Sequence, residues 1–174
     1  AEHFDMDVVV LVRHPAAFAE SVQARDMRHD FKHFLEQEIL MQKHLAPFRA
    51  DIEDFIQNPT RQADIFEHAT LLWNIIHHQI LYYKEKYPNW KFVRHEDLSR
   101  KPFETFGKLF DELNLNFNEK AKKYLQDTTQ SNENSRLKRQ SAANIFKWKK
   151  NLTQEQQQFI CDKTHYIAQN FYTL

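Results

Sequence analysis

The sequence predicts an α/β domain, mostly helical, in which a parallel sheet is flanked by helices. Two observations support this fold class. An apolar run at residues 8–12 is followed at once by a helix signal, and the same order recurs after residue 90. A strand followed by a helix, found twice, is the pattern of a parallel sheet with helical crossovers. With 174 residues, the chain is long enough for one domain with a buried core.

The first strand, residues 8–12, is apolar throughout, as expected for a strand covered on both faces. Pro15 follows it, and a proline without an N–H suits the first turn of a helix. Residues 25–61 are more polar and carry apolar residues at three- and four-residue spacings. This segment is predicted to be a helical insertion or lid.

A second long helix is predicted at residues 60–87, and Pro88 ends it. Its expected buried face consists of apolar residues at helical spacing: Phe66, Leu72, Trp73, Ile76, Ile80 and Tyr83. Residues 90–98 then form the second predicted strand, with an apolar core at 90–93. Two strands are too few for a sheet that helices cover on both faces, so we expect the domain to be incomplete at its N-terminus.

The C-terminal part is predicted to be helical and interrupted by one polar segment. A helix begins at Pro102, and a smaller one covers residues 118–125. Residues 126–141 are polar and predicted to be a loop. Thr153 and Gln156 have the spacing of a capping box, which predicts a last helix at 154–171.

Composition excludes several classes of function. Lys+Arg and Asp+Glu both total 24, so charge does not indicate nucleic-acid binding, and no apolar run approaches the roughly 20 residues of a membrane span. Gly107 is the only glycine, which excludes a Walker A loop and a dinucleotide fingerprint. Cys161 is the only cysteine, which excludes an internal disulfide and is compatible with a reducing compartment. We therefore expect a cytoplasmic location.

The stretch VVVLVRHPAAFAES, residues 8–21, carries the main candidate site. Arg13 follows the C-terminal end of the first strand, the edge where open α/β sheets bind ligands. Ser21 lies on the helix that follows. A guanidinium and a hydroxyl suit one phosphate group. Taken alone, the stretch favours the plainer interpretation that Arg13 pairs with a surface carboxylate and Ser21 faces solvent.

Three blocks in order resemble sulfotransferases that use 3′-phosphoadenosine 5′-phosphosulfate (PAPS) as donor. VVVLVRHPAAFAES resembles the family's strand ending in VR[ND]P, with a serine eight positions after the arginine. KFVRHEDLSRKPFETFGKLFDELNL resembles the next strand-and-helix block, RYEDL..P......L..FL. KWKKNLTQEQ resembles the terminal block around a Trp-Lys pair. The resemblance covers most of the chain after Val8 and implies a single sulfotransferase-like domain over residues 1–174.

The resemblance implies a P-loop-kinase-like fold and sulfuryl transfer from PAPS, as co-substrate, to a hydroxyl or amine acceptor. By position, Arg13 and Ser21 would hold the 3′-phosphate of the donor. His95 stands where the family commonly has a tyrosine beside the adenine. No metal is implied.

The family's mobile phosphate-covering loop corresponds to residues 134–140, where Arg136, Lys138 and Arg139 are the basic residues. Lys147, beside Trp148, is a further candidate for a phosphate contact. The spacing of this loop to Trp148 departs from the family's RKG form, so the basic residue that meets phosphate stays open.

The family's Lys-containing phosphosulfate loop and its usual catalytic base have no match in the chain, and both would precede residue 1. This fragment alone is therefore expected to be inactive. The acceptor stays open among a carbohydrate, a lipid, a peptide tyrosine and a small phenol. The segment 25–61 is a candidate for acceptor contact. The oligomeric state is not indicated.

Two other functions fit the sequence. One is a non-catalytic protein-interaction domain with a vestigial nucleotide site, and the other is a small-molecule kinase of related fold that binds ATP with magnesium. His29 and His33 have zinc-ligand spacing on a helix but no spaced third ligand. Glu96 and Asp97, as strand neighbours, would face opposite ways, which disfavours acid–base catalysis by the pair.

Overall fold

Two short parallel strands pair in the computed structural model, which describes residues 6–129 and 144–173. Strand β1 (Val9–Val12) pairs with β2 (Lys91–Arg94), with Val9 opposite Lys91 and Val12 opposite Arg94. This confirms the predicted parallel pairing. Because parallel strands run in the same direction, the residues that follow Val12 and Arg94 lie side by side at one edge of the pair.

Helices make up most of the described chain. In chain order they are α1 (Pro15–Arg25), α2 (Lys32–Leu35), α3 (Glu38–Leu40), α4 (Arg49–Gln57), α5 (Pro59–Ala63), α6 (Ile65–Lys86), α7 (His95–Arg100), α8 (Pro102–Glu112), α9 (Glu119–Thr129), α10 (Trp148–Asn151) and α11 (Gln154–Ala168). The mixed α/β class that the sequence predicts is confirmed in this form. Among the described residues, no helix combines the length and the apolar character that crossing a bilayer requires.

The core forms where α1, α6 and α11 pack together. Ala16, Ala19 and Ala69 are buried there, and their small side chains allow the helix backbones to approach closely. Ile160 of α11 joins this cluster. Trp73 of α6 packs nearby against Ile167 and Ala168. Trp73 also contacts the loop that joins β1 to α1, where its indole N–H donates to the Arg13 carbonyl at 3.0 Å.

The insertion is helical, as predicted, but irregular. It contains a π-helical turn (Met41–Leu45) and a 3₁₀ turn (Ala46–Phe48) between its α-helices. Buried side chains of the insertion pack against α6 in a second apolar cluster. The insertion contributes Phe31, Met41, Leu45, Ile52 and Phe55, and α6 contributes Leu71 and Ile75. The insertion is thus anchored on α6 by a core of its own.

The prediction of one long helix at 60–87 is wrong at its start, because the helix is interrupted at Asp64, between Ala63 and Ile65. The side chain of Asp64 accepts hydrogen bonds from Phe66 N (2.7 Å) and Glu67 N (3.4 Å), so it caps α6 as a new helix. The predicted buried face is also wrong at Ile76, which is 40% exposed, whereas Phe66 and Trp73 are buried.

The second predicted strand is too long at its C-terminal end. Strand β2 stops at Arg94, and residues 95–98 belong to α7 instead. Acidic residues favour the first turn of a helix, and Glu96 and Asp97 occupy that turn here. The assumption that these two carboxylates are strand neighbours is therefore wrong.

Two other helix boundaries differ from the prediction. Helix α9 extends to Thr129, past the predicted end at residue 125, and takes the first residues of the predicted polar loop. The last helix, α11, ends at Ala168 rather than at 171. The capping box that begins it is confirmed, because Gln156 N donates to Thr153 Oγ1 (3.2 Å) and Thr153 N donates to Gln156 Oε1 (2.9 Å).

We expect Thr153→Ala to lower the free energy of unfolding by about 1 kcal/mol, because it removes the cap of a helix that packs on both α1 and α6. Urea denaturation followed by circular dichroism measures the change. Thr153→Ser keeps the hydroxyl and should cost much less. Equal losses in the two variants would contradict a role for the cap.

Candidate functional site

The candidate site lies at the C-terminal ends of the two strands. Arg13 and His14 follow β1, and His95 and Glu96 begin α7 after β2. Glu96 is buried and joins the two strand ends: its Oε1 accepts the backbone N–H of His14 at 3.0 Å. Its Oε2 accepts the hydroxyl of Tyr172 at 2.9 Å. One carboxylate thus fixes the turn after β1, the start of α7 and the C-terminal segment.

The C-terminal segment is held by a second contact at the same edge. Arg94 forms a two-pronged ion pair with Asp97, at 2.7 and 3.0 Å, and its guanidinium lies 5.8 Å from the ring centroid of Tyr172. Burial and the neighbouring Glu96 carboxylate raise the pKa of Tyr172 above its ordinary value. The phenol therefore stays protonated and donates to Glu96.

Arg13 is the least satisfied polar residue at this edge. Its backbone carbonyl accepts the indole N–H of Trp73 at 3.0 Å, which fixes the main chain. Its side-chain Nε is buried, and no hydrogen-bond acceptor is within range among the described residues. Burial lowers the pKa of Arg13, against the attraction of Glu96 and Glu20. Arginine remains charged at neutral pH even so, and the site therefore contains a partly desolvated cation with a free donor.

Ser21 is half-buried on α1, and Arg25 lies one helical turn beyond it. The positive charge of Arg25 contributes to lowering the pKa of Arg13. The role of Arg13 and Ser21 in holding a phosphate stays a prediction.

Arg25 is a residue that the sequence analysis missed. Its position four residues after Ser21, on a helix with a clear start at Pro15, is a signal that could have identified it. A guanidinium one helical turn from Ser21 adds positive charge to the helix that carries this hydroxyl.

The first backbone positions at the N-terminus of α1, residues 14–16, offer no free N–H. The N–H of His14 binds Glu96, Pro15 has no N–H, and the N–H of Ala16 donates to His14 Nδ1 at 3.2 Å. These positions cannot also bind a phosphate in the way a glycine-rich loop does.

His14 belongs to an aromatic cluster that sequence reasoning did not find. Its ring stacks on Trp148, with centroids 4.7 Å apart and planes at 13°, and it meets the edge of Tyr172 at 5.1 Å. Burial lowers the pKa of His14, and Lys149 adds to the effect while Glu96 opposes it. A neutral His14 can accept from Ala16 N through Nδ1, as the structure shows.

His95 is the half-buried first residue of α7. Burial lowers its pKa, and the positive charge of Arg13 contributes to the same shift. A neutral imidazole at this position can stack or form hydrogen bonds. Its predicted place beside an adenine stays a prediction.

Lys147 lies beside the same helix as Ser21. Its Nζ is 3.9 Å from Oε1 of Glu20, and that oxygen also accepts Nδ2 of Asn151 at 2.6 Å. The Lys147 side chain is 56% exposed and can turn toward a ligand. The other predicted phosphate contacts, Arg136 and Arg139, lie outside the described residues.

Two other candidate groups do not form a reactive site. Both oxygens of Glu96 accept hydrogen bonds and Asp97 is paired with Arg94, which leaves neither carboxylate available as a base. His29 precedes α2 and does not lie on one helix with His33, so the assumed helical spacing of this pair is wrong. Among residues 6–129 and 144–173, no group of three or more His, Cys, Asp or Glu is arranged to hold a metal ion.

Comparison of the chain with models of known families, with curated proteins and with solved structures gave no match. Interpretation of the site therefore depends on its own geometry and on the three sequence blocks described above.

Proposed function

We propose that the chain is part of a PAPS-dependent sulfotransferase with a P-loop-kinase-like sheet, and that it binds the donor's 3′-phosphate through Arg13 and Ser21. The observation that carries the proposal is the buried Nε of Arg13, which has no acceptor among the described residues. It lies at the strand edge where α/β sheets bind ligands. The half-buried hydroxyl of Ser21 is on the adjoining helix.

Physical chemistry favours an anion as the missing partner of Arg13. A buried donor without an acceptor costs free energy, and a phosphate supplies both an acceptor and an opposite charge. Arg25 on α1 and Lys147, which lies near Glu20 of the same helix, would add positive charge. The carboxylate of Glu20, which faces Lys147, is already engaged by Asn151.

In the proposed reaction, the sulfur–oxygen bond to the donor's 5′-phosphate breaks as a new bond forms between sulfur and the acceptor's oxygen or nitrogen. The acceptor loses a proton, and adenosine 3′,5′-bisphosphate leaves. Fixed positive donors stabilise the charge that develops on the oxygens in such in-line transfers. Because the 3′-phosphate is remote from the sulfur, Arg13 would contribute donor affinity and orientation rather than chemistry.

We expect adenosine 3′,5′-bisphosphate to raise the melting temperature of the protein more than adenosine 5′-monophosphate does, because only the bisphosphate carries the group assigned to Arg13. Arg13→Gln should weaken bisphosphate binding by about tenfold or more, since it removes a charge-assisted donor. Thermal shift and isothermal titration calorimetry measure the two effects.

Arg49→Gln is the matched control, because Arg49 is exposed and makes one surface ion pair with Glu53. It should leave bisphosphate affinity unchanged. Equal stabilisation by the two nucleotides, or equal affinity in wild type and Arg13→Gln, would contradict the proposal. A preference for ATP with magnesium would favour a kinase, and no response to any nucleotide would favour an interaction domain.

A further inference from the structure

A cavity of about 630 Å³ lies beside the strand ends, between the start of α1 and helices α10 and α11. His14 and Glu96 line it from the strand side. On the other side, Phe146 precedes α10 and Trp148 is the first residue of α10. Its volume is in the range of small-molecule sites. The sequence analysis assigned no ligand to this cavity.

The two charged side chains that line the cavity are already engaged. Glu96 accepts hydrogen bonds at both oxygens, from His14 N and Tyr172. The Nζ of Lys149 lies 5.2 Å from the ring centroid of Phe146 and 5.5 Å from that of Trp148. Apart from the Lys149 ammonium, which keeps its charge beside these rings, the groups that remain for a ligand are neutral.

Glutamines from α11 supply the polar side of the cavity. Gln157 Nε2 donates to the carbonyl of Leu152 at 2.9 Å, and Gln158 Nε2 donates to Asp162 Oδ1 at 2.8 Å. Within the described part of the chain, the amide oxygens of Gln157 and Gln158 accept no hydrogen bond. Such oxygens accept from ligand hydroxyls and repel anions. The cavity thus favours a hydroxyl-rich, uncharged ligand.

Aromatic rings supply the apolar side. Phe146 is 43% exposed, and Trp148 is held in place by its stack on His14. A ring fixed before binding loses little conformational entropy when a ligand packs on it. The apolar face of a sugar ring can pack on such a surface while its hydroxyls reach the glutamines.

We propose that this cavity binds a neutral carbohydrate, whose ring packs against Phe146 and Trp148 and whose hydroxyls donate to Gln157 and Gln158. Binding of the sugar does not depend on sulfuryl transfer. The use of this sugar as the sulfate acceptor rests on the proposed function. In that case the acceptor is a carbohydrate, one of the classes that the sequence left open.

The test is titration of the full 174-residue chain with five neutral trisaccharides: cellotriose, chitotriose, maltotriose, mannotriose and xylotriose. Saturation-transfer NMR and tryptophan fluorescence report binding, and a heparin-derived trisaccharide is the anionic comparison. We expect at least one neutral sugar to bind. Phe146→Ala and Gln158→Leu should each weaken it by about three- to tenfold, the effect of losing one packing or hydrogen-bond partner. Both residues are exposed, so these variants should fold.

Gln169→Leu is the matched control, because Gln169 is exposed, follows α11 and does not line the cavity. It should bind the sugar as wild type does. Absence of binding by all five sugars, unchanged affinity in both cavity variants, or tighter binding of the anionic sugar would overturn the proposal. Adenosine 3′,5′-bisphosphate, titrated into the same variants, should bind normally, which separates failure here from failure of the Arg13 site.

Discussion

Trp73→Ala is expected to lower the free energy of unfolding by about 3–5 kcal/mol, the usual cost of removing a large core aromatic. Trp73 is 1% exposed and packs against Ile167 and Ala168 of α11. It also stacks on His77, with centroids 3.8 Å apart. The substitution leaves a cavity in the core and removes the partner of the Arg13 carbonyl. Urea denaturation measures the loss.

Trp90→Ala is the matched control, because Trp90 is half-buried and stacks on Tyr87 at the end of α6 rather than in the core. It should cost much less than Trp73→Ala. Trp73→Phe keeps most of the packing but loses the hydrogen bond to the Arg13 carbonyl. It should fold, and its loss in free energy of unfolding should lie between those of Trp90→Ala and Trp73→Ala. A loss in Trp73→Ala no larger than in Trp90→Ala would contradict this account of the core.

The free energy of unfolding is expected to fall as the pH falls from about 6.5 toward 4. Burial lowers the pKa of both His68 and His77 to about 4, with help at His68 from the charges of Arg28 and His29. In the unfolded chain each imidazole has its ordinary pKa near 6.5, so the unfolded state binds protons first and gains stability. The full contribution is present above pH 6.5, and about 3 kcal/mol per histidine is lost on approaching pH 4.

The hydrogen bonds of His77 and His68 explain why protonation of either ring is unfavourable in the folded state. His77 Nδ1 lies 2.9 Å from the Trp73 carbonyl and must donate to it, which leaves Nε2 as the site for a proton. That atom is buried without a partner among the described residues. His68 Nε2 accepts the backbone N–H of His29 at 3.0 Å, and protonation would break this bond.

Denaturation curves measured every half pH unit between 7 and 5 test the prediction for His68 and His77. His77→Gln should flatten the pH dependence by about one histidine's share, whereas His165→Gln, at an exposed position, should leave it unchanged. If the free energy of unfolding were constant over this range, or the slope in His77→Gln unaltered, the assignment would be wrong.

Features written in short stretches of sequence were predicted well, except that Val9 and Leu11 of β1 are 43% and 52% exposed, so the expected cover on both faces of this strand is wrong for the described residues. The apolar run before Pro15, the start of α8 at Pro102 and the capping box of Thr153 and Gln156 each depend on neighbouring residues. The errors arose where a local pattern had two interpretations. Residues 95–98 follow the apolar run of β2 and were therefore predicted to extend that strand. Their acidic residues favour the first turn of a helix, and these residues form the start of α7.

The candidate site was only partly predictable. The sequence proposed Arg13 and Ser21 as phosphate ligands, which stays a prediction, and the structure adds that Nε of Arg13 is buried without an acceptor among the described residues. The role of Glu96 was not predictable, because its two partners are 82 and 76 residues away in sequence. The hydrophobic periodicity of a sequence reports on local structure and does not identify contacts between residues this far apart. The stack of His14 on Trp148 was missed for the same reason.

The distance in sequence between β1 and β2 bears on how the chain folds. Pairing these strands, and then joining His14 to Glu96, closes a loop of 82 residues. Closing a long loop costs entropy before any contact repays it, whereas helices such as α6 gain their hydrogen bonds locally. We therefore expect the helical intervening region to condense first and shorten the effective loop. The edge formed by the C-terminal ends of the two strands would then be among the last parts of the domain to assemble.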